Sequence, residues 1–209
     1  MCDPENIRRI EMLDVDWLGF VFYEGSPRFV RENDATKAAI YQCMKPKVGV
    51  FVDESLDVML TKAEMYRLSY LQLHGSETPE MCWALQQSGY QVLKVFAVAS
   101  AEDFEQTGKY AGCCDYFLFD TKCRGYGGSG KRFDWALLDA YRGEKPFILS
   151  GGLTVESFDD IRQMKHPMMA GVDLNSGFEI AVGVKDGGRI GMFVGQIRML
   201  ATNYTNLHE

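Results

Sequence analysis

No run of apolar residues in this chain approaches the roughly 20 that a membrane-spanning helix requires, and the opening Met1-Cys2-Asp3-Pro4-Glu5 has neither the basic nor the apolar stretch of a secretory signal. The chain therefore reads as cytoplasmic, with no membrane partner. Positive charge is in short supply: 22 Lys and Arg against 29 Asp and Glu leave a formal net charge of −7. That balance opposes broad attraction to a nucleic-acid backbone, so no nucleic-acid partner is expected, and a small metabolite held in a local pocket becomes the natural ligand. Histidine is scarce, with three residues scattered at 74, 166 and 208, which argues against a histidine-built metal centre. Six cysteines are present, but none has CxxC or zinc-finger spacing, and Cys43 and Cys82 fall within apolar helical patterns. Reduced, structural thiols are the expectation, with no metal.

What is there is a regular alternation. Short runs rich in Val, Phe, Leu and Ile at 17–22, 48–52, 70–73, 92–98, 116–119, 147–149 and 170–174 predict strands. Amphipathic stretches beginning near Asp3, Asn33, Ser55, Thr78, Ala101, Phe133, Thr154 and Lys185 predict helices, several opened by a capping residue. Strands apolar on both faces belong to parallel sheets covered by helices. With no composition break over 209 residues, the pattern predicts one domain, 1–209, of the α/β class and a (β/α)8 TIM barrel. A (β/α)8 chain opens with a strand, whereas this one opens on a helix, so the first β-strand is expected to be missing from residues 1–209.

In such barrels the working groups stand at the C-terminal ends of the strands. Here Gly151-Gly152 and Ser176-Gly177 follow the last two predicted strands, where main-chain N–H groups can approach an anion closely. They suggest a phosphorylated substrate, although glycines also shape tight turns. Asp120 ends the apolar run Tyr116-Phe117-Leu118-Phe119, where low polarity raises a carboxyl pKa toward the range useful to a general acid; a helix cap or a partner for Lys122 is the plainer alternative. Arg28, in a loop stiffened by Pro27, can grip a carboxylate with its planar fork or lie solvated on the surface. His74 and Asp173 also end strands; His74 can orient a substrate or carry a proton, or be a satisfied structural residue. The glycine-rich segment 125–131 reads as a mobile cover. It is not a P-loop, because Arg132 follows Lys131 where that motif needs Ser or Thr.

In order along the chain stand Gly19-Phe20-Val21-Phe22-Tyr23 with Ser26-Pro27-Arg28, Gln72-Leu73-His74-Gly75, Asp120-Thr121-Lys122, Gly127 through Trp135, Leu149-Ser150-Gly151-Gly152-Leu153, Asp173-Leu174-Asn175-Ser176-Gly177-Phe178-Glu179 and Lys185-Asp186. This ordered set resembles the phosphoribosylanthranilate isomerase family. The resemblance implies an Amadori rearrangement of N-(5-phosphoribosyl)anthranilate in tryptophan biosynthesis by a monomer or homodimer, with no cofactor. It makes Asp120 the general acid, Arg28 the holder of the anthranilate carboxylate, and Gly151, Gly152, Ser176 and Gly177 the phosphate cradle, with His74 and Asp173 as further substrate contacts. It also implies a base, a Cys in a Lys-x-Cys-Gly motif on the first strand. Residues 1–209 hold no such motif, and Cys2, beyond that position and beside Asp3, is not its equivalent. Little isomerase activity is therefore expected of residues 1–209 alone. The alternatives are a non-catalytic phosphate-binding remnant and a related barrel enzyme such as indole-glycerol-phosphate synthase.

Overall fold

The computed structural model describes residues 1–31, 33–122 and 132–205. Seven strands form one parallel sheet in strict chain order: β1 (Leu18–Val21), β2 (Lys47–Phe51), β3 (Tyr70–Leu73), β4 (Gln91–Val98), β5 (Tyr116–Thr121), β6 (Phe147–Leu149) and β7 (Met169–Val172). Parallel neighbours in sequence order demand crossovers of one hand, and successive crossovers of one hand curl a twisted sheet toward a barrel. Every predicted strand is present. β1 and β7 are the two edges, and the main-chain nitrogen of Met1 donates to the Gly19 carbonyl at 3.2 Å, so the approach to the first helix runs beside β1.

The helices start where local chemistry stops the chain from extending. Asp3, Asn33, Ser55 and Thr78 accept hydrogen bonds from backbone N–H groups three residues on, opening α1 (Pro4–Glu11), α2 (Asp34–Gln42), α3 (Leu56–Tyr66) and α4 (Pro79–Gln87). Each bond satisfies a donor that the helix itself leaves free, worth about 1 kcal/mol. The segments predicted from Ala101 and Phe133 form 3-10 helices instead, Ala101–Tyr110 and Trp135–Ala140. In a six-residue helix the tighter i→i+3 pattern closes more of the terminal carbonyls than an α-turn does. α5 (Phe158–Gln163) precedes β7, and α6 (Gly187–Thr205) follows a two-stranded hairpin of β8 (Glu179–Ala181) and β9 (Val184–Lys185). Gly183 sits in the hairpin turn at φ +79°, a conformation glycine reaches without strain.

The period of two along each strand sorts the side chains. Phe117, Phe119, Phe147, Leu149 and Phe96 point outward into the main core beneath the helices, where Phe119 is fully buried and meets Phe104 edge-on at 4.9 Å between ring centroids. Truncating such a ring to alanine costs about 3 to 5 kcal/mol. The alternate residues face inward: Tyr70, Gln72 and His74 from β3 and its end, Tyr116, Leu118 and Asp120 from β5, and Ile148 and Ser150 from β6 and its end. They line a cavity of about 630 Å³ that the curled sheet encloses. Leu118 and Ile148 pack with Val95 in a small inner cluster, and the polar members stand at the C-terminal rim.

Candidate functional site

Four of the residues singled out from sequence meet at that rim: Asp120, His74, Asp173 and Arg28 all line the cavity. Asp120 Oδ2 lies 3.6 Å from His74 Nε2, and its Oδ1 accepts the backbone N–H of Thr121 at 2.7 Å. Burial is the main influence on this carboxyl, aided by the negative charge of nearby Asp173 and opposed by the Thr121 bond. Together they push its pKa up to about 6. The same burial lowers the pKa of His74, favouring a neutral imidazole, whose Nδ1 takes the Gln72 amide at 3.4 Å. The site thus offers a carboxyl able to hold a proton close to neutral pH. Lys122, the alternative partner considered for Asp120, pairs instead with Asp103 at 3.0 Å. Asp173 accepts the Ser150 hydroxyl at 3.0 Å, which ties the ends of β6 and β7 together across the rim.

Arg28 is not solvated. Its Nε donates to both oxygens of Glu179, at 2.9 and 3.1 Å, and its Nη2 donates to Oε2 at 2.7 Å. Lys185 Nζ reaches the same carboxylate at 3.2 Å and Asn175 Oδ1 at 2.8 Å. Burial tends to raise the Glu179 pKa, but the hydrogen bonds from Arg28 and the charge of Lys185 outweigh it and hold this carboxylate below its usual range. Lys185 is itself lowered by burial, against the pull of Glu179 and Asp173. Arg28 and Lys185 line the cavity and share the Glu179 carboxylate between them. Glu179 and Lys185 were not assigned roles from sequence. Glu179 is 151 residues from Arg28, and no local pattern signals such a pair.

The glycines stand beside the rim rather than on the cavity wall. Gly151 and Gly152 have φ of +86° and +67°, conformations that side chains resist. A Cβ on Gly151 would sit 2.7 Å from Asp120 Oδ1, so the bare backbone there is what lets this loop close over the acid. A Cβ on Gly177 would lie 2.1 Å from the Leu153 carbonyl oxygen, which shows the two glycine loops packed backbone to backbone. Ser176 opens the single 3-10 turn Ser176–Phe178 beside them. Cys2 packs its sulfur against Gly183 in the β8–β9 turn, 4.0 Å from that carbonyl oxygen. The segment 125–131, expected to act as a cover, lies outside the described residues.

A buried, proton-holding carboxyl at the C-terminal rim of sequential parallel strands, faced by a braced guanidinium, defines an α/β-barrel enzyme whose substrate enters at the strand ends. Comparison with known proteins gives the family. Residues 2–196 match the model for N-(5'phosphoribosyl)anthranilate (PRA) isomerase, and the chain belongs to that family. It is 52% identical over 201 residues to the N-(5'-phosphoribosyl)anthranilate isomerase of Parabacteroides distasonis, covering 94% of this chain and 90% of the relative. The solved phosphoribosyl anthranilate isomerase of Thermus thermophilus superposes with a TM-score of 0.80 at 28% identity, covering 96% of each chain. A phosphoribosyl anthranilate isomerase in complex with reduced 1-(o-carboxyphenylamino)-1-deoxyribulose 5-phosphate superposes with a TM-score of 0.77 at 28% identity, covering 95% of each chain.

Proposed function

We propose that this protein isomerises N-(5-phosphoribosyl)anthranilate to 1-(2-carboxyphenylamino)-1-deoxyribulose 5-phosphate, a step of tryptophan biosynthesis. Asp120, protonated, gives its proton to the furanose ring oxygen as the bond from that oxygen to C1 breaks. The anthranilate nitrogen lone pair moves in to form the C1=N iminium. A base then takes the proton from C2, the C2–H electrons become the C1=C2 bond, and the iminium nitrogen regains its lone pair. The resulting enolamine loses its C2 hydroxyl proton and gains one at C1, giving the ketone. Protons are moved and returned, so the route needs no cofactor. The resemblance to the family implies a cysteine as that base.

Arg28, held by Glu179, receives the anthranilate carboxylate, and Lys185 adds positive charge on the same wall. Gly151, Gly152, Ser176 and Gly177 supply main-chain donors for the phosphate, and His74 and Asp173 contact the sugar hydroxyls or the ring. The observation that carries this reading is Asp120, a carboxyl of pKa about 6 lining the cavity of a chain in this family. We place the enzyme in the cytoplasm as a monomer or homodimer; among the described residues no helix is long and apolar enough to cross a membrane. The test is titration of the native protein with the reduced product analogue and with its dephosphorylated form. Tight binding of the first and loss of at least ~10-fold with the second are expected for a phosphate cradle. Equal affinities remove the glycine loops from the site.

A further inference from the structure

Away from the cavity, on the outer face of the sheet, three cysteines converge that the isomerase chemistry does not use. Cys82 lies in α4, and Cys113 and Cys114 form the turn that leads into β5. All three side chains are buried, and their sulfurs lie within 4.8 Å of one another. None of them lines the cavity. We propose that Cys82, Cys113 and Cys114 form a three-sulfur site for one soft, thiophilic cation of the cuprous or zinc class.

Three lines of chemistry support it. Soft d10 cations are selected by thiolate sulfur, and sulfurs bound to one metal at about 2.3 Å stand roughly 4 Å apart, so the spacing here needs only a small contraction. The proton balance closes as well, since the thiols release their protons to solvent as the cation takes their place. Finally, the surrounding charge is nearly balanced: Lys94 and Glu77 form a buried pair at 2.8 Å beside the cluster. A divalent ion on three thiolates adds a single negative charge, and a monovalent ion leaves the same charge if one sulfur keeps its proton. The 3-10 helix Ala101–Tyr110 adjoins the cluster, its Tyr110 carbonyl accepting from the Cys113 thiol at 3.5 Å. Its weaker hydrogen-bond geometry makes it the natural element to open for entry.

The test uses the whole reduced protein, loaded anaerobically with Cu(I), with Zn(II) or with Cd(II) as a spectroscopic stand-in, then desalted. One retained equivalent per chain is expected for the matching ion, with a thiolate-to-metal charge-transfer band and none with Mg(II). Cys82→Ala and Cys114→Ala should each lower affinity at least ~100-fold, whereas Cys43→Ala, which removes a buried thiol elsewhere, should not. X-ray absorption on the wild-type protein gives a readout that does not depend on any variant folding, and three sulfur neighbours at about 2.3 Å are expected. Failure to retain any of the three ions, retention unchanged in Cys82→Ala, a nitrogen- or oxygen-dominated shell, or a disulfide forming in place of metal binding would each overturn the proposal.

Discussion

Replacing Asp120 with asparagine separates two consequences of the same burial. The amide keeps an oxygen for the Thr121 N–H and fills the same space, but it carries no exchangeable acid proton and no charge. A carboxyl that ionises near 6 in the folded chain and near 3.8 in the unfolded one binds more protons when folded between those values. Stability therefore falls as pH rises through that window, is unaffected below it, and is lower by up to about 3 kcal/mol above it. Asp120→Asn removes that penalty. We predict that the variant is about 1 to 3 kcal/mol more stable than wild type at pH 8 and equal to it at pH 3.5, measured by urea unfolding at each pH. The same exchange should lower kcat by at least ~10² while leaving affinity for the reduced product analogue largely intact. In the wild type, kcat/KM should decline as pH climbs above about 6, as the free enzyme loses the acid form. A variant with equal stability at both pH values shows that the carboxyl is not strained by burial, and near-normal turnover removes it from the mechanism.

Arg28→Ala should raise KM more than it lowers kcat, by roughly 1.5 to 3 kcal/mol of binding, with Arg28→Lys recovering only part because a point charge lacks the bidentate fork; equal affinity of both proteins for an analogue without the carboxylate is the expected control, and equal affinity for the carboxylate-bearing analogue refutes the assignment. Glu179→Gln keeps the shape of the brace and weakens its charge, so KM should rise about 3- to 10-fold with kcat little changed; a kcat loss as large as that of Asp120→Asn would place Glu179 in the chemistry instead. Gly177→Ala drives a Cβ into the Leu153 carbonyl, and a cost of about 1 to 3 kcal/mol in stability with weaker inorganic phosphate binding should follow, read by thermal melts with and without phosphate.

The strands were legible because each is a short β-branched or aromatic run bounded by turn residues, as Tyr116–Thr121 illustrates. Asp3, Asn33, Ser55 and Thr78 announced their helices through side chains that act on neighbours three residues away. The strand-end positions of Asp120 and His74 were legible because each terminates an apolar run within one segment. Whatever depends on contacts between distant segments was hidden. The anchoring of Arg28 by Glu179 depends on a short hairpin of two residue pairs, with Ile180 and Val182 exposed between them, so no hydrophobic alternation marks it. The meeting of Cys82 with Cys113 and Cys114 likewise depends on α4 and the turn before β5 packing over adjacent strands, and their spacing in sequence matches no metal motif.

The most direct test of the account is to supply the native protein with N-(5-phosphoribosyl)anthranilate and identify the product by NMR, with Asp120→Asn run beside it under the same conditions. Against the little activity expected from the sequence of residues 1–209, the account predicts conversion to 1-(2-carboxyphenylamino)-1-deoxyribulose 5-phosphate by the wild type, abolished or nearly so in the variant. A wild-type protein that binds the reduced product analogue tightly yet forms no product would contradict it and leave a phosphate-binding barrel without isomerase activity.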